Sequence, residues 1–368
     1  MAGTREEILK SFTFGVQFEF LVDRRGTLFN DIWTDSEDPS TTVEGVALVI
    51  KEHLEAIQLT YPVSVSNHLD EASRAERAED ELEYRHWIIR GRDSIRAREN
   101  EIDRVANALR AMEAVSFDES CALRVSVGQG DDKGFPLLAL QKLASLLLAG
   151  AEELLELLHP DHRVLNNDSC RSIRSSSAVV LEGGSRTPKQ SFDGEDWFDC
   201  CVRGGGGDGD ASATGKIPET ELRALWQAET LAEFCLLVGP GENDKIDMAY
   251  RFWDLVAPLP ISKHEKGIRR TIEFRQADGN LRCDQRYILS WVDVALSLVA
   301  FAVEADQDEF ERAIKGIRRC LLGLEEVSQV GMFGAAVIRS RVAREFLGIL
   351  SVPRGSATAI SGRAVTCR

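Results

Sequence analysis

Three short stretches carry residue types that could do chemistry together. Arg269-Arg270-Thr271-Ile272-Glu273-Phe274-Arg275 alternates polar and apolar positions, so on a strand Glu273 and Arg275 project from one side. Phe12 to Val22 alternates strictly: Phe12, Phe14, Val16, Phe18 and Phe20 form one face, and Thr13, Gly15, Gln17 and Glu19 the other. Cys121 to Val127 sets Leu123, Val125 and Val127 against Ala122, Arg124 and Ser126. Two carboxylates and two guanidiniums gathered by a curved sheet would suit a magnesium nucleotide, with hard oxygen ligands for the metal and arginines for phosphates. The same pattern also describes an antiparallel sheet with one wet face and no site.

The elements that must position these residues are α and β mixed. Helical spacing predicts helices at 43–57, 99–115, 136–158, 219–238, 244–256, 284–304, 309–324 and 335–350, and 69–84 reads as a solvated, charge-dense helix. Short strands are expected at 62–65, 84–89 and 177–181, and the stretch 35–42 as a loop. The Gly/Ser/Asp-rich stretch at about 183–218 predicts a flexible insertion in a single domain spanning 1–352, and 353–368 a disordered tail.

Net charge is -16, from 60 acidic against 44 basic residues. That balance argues against a nucleic-acid partner, since neutralising phosphates needs a basic footprint. The apolar run 143–158 is broken by Glu152, Glu153 and Glu156, which argues against a membrane span there, and no apolar leader is visible at the N-terminus. Eight cysteines without C-x-x-C spacing suggest reduced, buried thiols and a cytoplasmic protein. His159 and His162 flank Pro160 and are expected as loop residues rather than metal ligands.

Gly15-Val16-Gln17-Phe18-Glu19-Phe20 resembles the G-x-E-x-E strand of the amidoligase family, a branch of the glutamine synthetase and glutamate–cysteine ligase superfamily. Leu123 to Gly128 falls where that family has G-L-H-V-H-V-G. The helix ending Leu158-His159-Pro160-Asp161-His162-Arg163 is similar to its E-x-x-L-x-x-L-x-P-x-x-R segment, and Thr271 to Gln276 with Gly279-Asn280-Leu281 to its T-I-E-F-R-x-x-x-G-T-L block. The ordered blocks cover most of residues 12–304.

The resemblance implies an α+β, glutamine synthetase-like curved antiparallel sheet flanked by helices. It also implies ATP- and magnesium-dependent ligation of a small-molecule or peptide carboxylate to an amine through an acyl phosphate. Carried over by position, Glu19 and Glu273 would be metal ligands, with Gln17 offering an amide oxygen. Arg275 would contact the ATP phosphates, with Arg270 and Ser126 beside them. Gln17 replaces a glutamate of the family pattern, and Arg124 and Ser126 replace both histidines. Either Arg124 takes over phosphate or substrate-carboxylate binding, or the chain is a catalytically degenerate relative that binds or scaffolds.

Overall fold

The computed structural model describes residues 8–9, 11–23, 39–57, 63–65, 81–85, 87–91, 95–117, 121–129, 134–159, 166–167, 170–181, 195–203, 219–240, 248–252, 255, 270–279, 285–325, 327 and 332–366. The chain is α+β and divides into two compact units, one of residues 13–126 with 277–289, the other of the remainder.

In the first unit the elements run β1 (Phe12–Asp23), α1 (Pro39–Glu55), β2 (Val63–Val65), β3 (Glu81–Arg85), β4 (Trp87–Gly91), α2 (Ile95–Ala111), β5 (Val115–Ser116) and β6 (Ala122–Gln129). β1 is the centre of an open sheet ordered β2-β4-β1-β6, and the last residues of a later strand continue it beyond β6. β4 pairs antiparallel with the first half of β1, Gly15 opposite Arg90, while β3 and β5 take the second half, with Glu19 opposite Arg85 and Leu21 opposite Ser116. The alternation in β1 has the expected effect: Phe14, Val16, Phe18 and Phe20 are buried, as are Leu123 and Val125 of β6. Each such aromatic contributes about 2–3 kcal/mol by leaving water. Ile50 and Leu54 of α1, with Val105 and Leu109 of α2, bury the apolar stripes of their helices.

The second unit continues with α3 (Leu137–Leu146), a π turn (Leu147–Ala151), α4 (Glu152–Glu156), β7 (Asn166–Asn167), β8 (Cys170–Arg171), α5 (Ile173–Ser176), α6 (Ala178–Leu181), α7 (Glu195–Arg203), α8 (Glu219–Trp226), α9 (Leu231–Val238) and β9 (Tyr250–Arg251). After β10 (Thr271–Asp278) come α10 (Gln285–Glu304), α11 (Gln307–Glu325), α12 (Met332–Ile349) and α13 (Arg354–Thr366). β10 ends in the first unit, where Gly279 N donates to Cys121 O at 3.1 Å. A Cβ at Gly279 would lie 2.6 Å from Ala122 C, so only glycine lets the backbones approach this closely. α10 has the length and apolar composition of a membrane span, but 78% of that window is buried.

Several expectations are corrected. α1 starts at Pro39, inside the stretch read as a loop, because a first-turn proline has no helical hydrogen bond to lose. Glu81–Arg85 is a strand and not the end of a charged helix; its alternation finds a partner in β1, and pairing outweighs charge density. Residues 178–181 form a helical turn instead of a strand, closed by Leu181 N to Ser177 O at 3.0 Å. Residues 250–251 are strand β9, not helix, because Ala249 is bonded on both sides to neighbouring chain. α7 lies within the predicted insertion and buries Phe198, Cys200 and Cys201. The predicted disordered tail holds α13, which packs on α12 and buries Ile360 completely. The long helix from residue 136 is interrupted at Gly150 (φ 117°), where a Cβ would lie 2.3 Å from Leu321 Cδ1. Residues 69–80, the turn at 92–94, His162, Cys283, Asp284 and Cys367 lie outside the described residues.

Candidate functional site

The sequence-predicted residues fall in two groups, one in each unit. In the first, Gln17 and Glu19 share a face of β1, while Arg124 and Ser126 share a face of the adjacent β6. Glu19 and Arg124 are buried; Gln17 and Ser126 are half-buried. Glu19 Oε1 receives a short, charge-assisted hydrogen bond from Arg124 Nη2, and its Oε2 accepts from Ala122 N at 2.9 Å. Side-chain exposures of 9% and 4% make this a desolvated pair, held by the strand backbone as well as by charge.

That arrangement does not fit a magnesium ion on Glu19. Both carboxylate oxygens have donors, and a guanidinium in contact would repel a divalent cation. Among the described residues no group of three or more His, Cys, Asp or Glu is gathered so as to hold a metal.

The second group is built on β10. Ile272, Phe274 and Gln276 turn one way and are buried; Tyr250 meets Phe274 edge-on at 5.7 Å and donates its hydroxyl to Gln276 Oε1 at 2.7 Å. Trp291 of α10 packs edge-on against Phe274 at 6.4 Å, and His159 against Trp291 at 4.4 Å. His159 lies in the bend after α4, as expected of a loop residue, and is buried against the core. With its reverse side fixed, β10 presents Glu273 and Arg275 on the other face, each only 5% exposed. The antiparallel register sets Arg251 of β9 directly opposite Glu273, hence on that same face. Arg270 is exposed at the start of the strand, its Cδ and Nη1 3.3 Å from where a Cβ at Gly134 would lie. Glu273, Arg275 and Arg251 therefore share a face carrying two guanidiniums and one carboxylate. Comparison with protein-family models and with curated proteins finds no match to either.

Arg251 is the functional candidate that sequence reasoning missed. Its signal was the alternating Tyr250-Arg251-Phe252, obscured because helical spacing could also be fitted across 244–256. Also unforeseen is Glu152, fully buried at the start of α4, where burial pushes its carboxyl up to about 7. Cys121, Cys170, Cys200, Cys201, Cys235 and Cys320 are buried and form no disulfide among the described residues, and burial holds the Cys201 thiol up at about 12, which makes it a poor nucleophile at neutral pH. A cleft of about 440 Å³ beside Phe301, Glu304, Arg312 and Ile349 contains none of the predicted site residues.

Proposed function

We propose that the chain is an ATP-dependent carboxylate–amine ligase on a glutamine synthetase-like sheet, in which arginines carry most of the phosphate recognition. The observation that supports this reading is the β9–β10 register, which adds Arg251 to Glu273 and Arg275 on one face. The planar fork of arginine suits phosphate and carboxylate oxygens bidentately.

In this reading a carboxylate oxygen of a small-molecule or peptide acid attacks the γ-phosphorus of ATP. The bond to the bridging oxygen breaks, and ADP leaves with the electron pair. An amine nitrogen then attacks the acyl carbon, loses its proton, and phosphate departs to leave the amide. Arg275 and Arg251 neutralise charge on the phosphoryl oxygens, and exposed Arg270 attracts the nucleotide. Magnesium would accompany the nucleotide, and Glu273 is the carboxylate of this face that could meet it. Glu19 is assigned to hold Arg124 and not a metal.

A second reading, a non-catalytic relative that binds or scaffolds, is favoured by the Glu19–Arg124 pair, because that pair removes a carboxylate from the ligand set the resemblance implies. ADP release in the presence of ATP, magnesium and panels of acids and amines separates the two. Amine-stimulated release supports the ligase; nucleotide binding without turnover under every pairing supports the binding module.

A further inference from the structure

Glu152 is fully buried, and its carboxylate faces the start of α5. Oε2 accepts from Ser172 Oγ at 2.5 Å and from Arg174 N at 3.3 Å, and Oε1 accepts from Ile173 N at 2.9 Å. The neighbouring Glu153 takes the Arg174 guanidinium in an ion pair. The segment held this way leads directly to β10. Arg171 O accepts from Ala249 N at 2.8 Å, and Ala249 O accepts from Arg275 N at 2.9 Å. A continuous path of backbone and hydrogen bonds therefore joins a buried carboxylate to the backbone of Arg275, all within one unit.

We propose that Glu152 is a positioning residue: by fixing residues 172–174 it fixes Arg171, and through Ala249 it sets the β9–β10 register that presents Arg251, Glu273 and Arg275. The proposal rests on reading that face as the nucleotide site.

The charge environment gives the hold a pH dependence. Burial raises the Glu152 carboxyl to about 7, opposed by the hydrogen bonds from Ser172, Ile173 and Arg174 and by the Arg174 charge. Around it stand Glu153 and Glu156 of its own helix, Cys170 of β8 and Tyr250 of β9, whose phenol is pushed well above its ordinary range by burial and by the charge of Glu152. His159 closes the same helical stretch. The hydrogen bonds from Ser172, Ile173 and Arg174 favour the carboxylate, but its burial outweighs them and favours the neutral form in the folded chain. The ionised form prefers water, so opening of the 172–174 segment becomes easier as pH rises through 7.

The test is amide hydrogen exchange on the ligand-free protein between pH 6 and 8, comparing wild type with Glu152→Gln and Glu152→Ala. A glutamine amide can make the same donor and acceptor bonds as the neutral carboxyl without titrating. In wild type, protection of the Ile173, Ala249 and Arg275 amides should fall together, by about tenfold over this range. In Glu152→Gln it should stay flat, which also separates Glu152 from His159. A Gln variant with the wild-type pH dependence overturns the proposal. So does an Arg275 amide that stays protected when Ile173 loses protection in Glu152→Ala; if that variant does not fold, the Gln comparison decides alone. ATP titration of the same samples distinguishes the two levels. Coupled exchange without ATP binding overturns the nucleotide reading alone, whereas ATP binding with uncoupled exchange overturns the role of Glu152 alone.

Discussion

Arg124 reaches from β6 to β1 and closes on Glu19 as a buried ion pair, with Ala122 N holding the second carboxylate oxygen. A cation supplied by the chain thus stands at the carboxylate where the resemblance implies a metal. The pair makes the position that the resemblance implies for a ligand into a structural cross-link between adjacent strands, and its energetics follow from its burial.

Removing either partner leaves an uncompensated charge inside the sheet. Arg124→Met and Glu19→Gln should each lower stability by about 3–5 kcal/mol, and the double variant should lose clearly less than the sum. Urea unfolding of the four proteins in a double-mutant cycle measures the coupling.

Gly279 lies against the Ala122 backbone, with no room for a Cβ. Gly279→Ala should cost on the order of 1–3 kcal/mol through displaced backbone, and it should weaken protection of the Gly279 amide bonded to Cys121. Thermal unfolding with hydrogen exchange checks both effects.

The folded pKa of Glu152 lies above the ordinary carboxylate value, so its contribution to stability is fully present below about pH 4.5 and is lost as pH rises through about 7. Glu152 alone should withdraw about 3 kcal/mol over that window. The difference in urea stability between wild type and Glu152→Gln, measured from pH 5 to 8, should change with that sign; a constant difference would contradict the assignment.

Much of this was legible in the sequence where period and burial agree. The five alternating aromatic and aliphatic positions of β1, the Leu123-x-Val125-x-Val127 face of β6 and the Ile272-x-Phe274 face of β10 point inward as spacing required. The apolar helices α10 to α12 were equally plain. What escaped was decided by partners distant in sequence. Arg251 joins the candidate face only because Ala249 is caught between Arg171 and Arg275, a relation no local pattern announces. The tail reads as Gly/Ser/Ala-rich, yet Ile360 and a Ser356–Asp293 hydrogen bond tie α13 to the core. Glu19 and Arg124 were visible as polar residues on buried strands, but their mutual contact depends on the pairing of β1 with β6. Chemistry read from residue types alone could not distinguish a carboxylate awaiting a metal from one already neutralised.

The α13 helix gives a test of its own. Ile360→Ala should destabilise the protein by about 2–4 kcal/mol, as expected of a core aliphatic and not of a residue in an unstructured tail. Denaturant midpoints of the single variant suffice.

In the ligase reading, Arg275 and Arg251 hold the phosphates of a nucleotide. Calorimetric titration of ATP into wild type, Arg275→Met and Arg251→Met, with magnesium present and urea midpoints recorded for each protein, addresses it directly. Losing one charged hydrogen-bonding contact should weaken ATP binding about 10- to 100-fold in either variant while the fold persists. Wild-type protein that binds no ATP, or folded variants that bind it as tightly as wild type, would contradict the account.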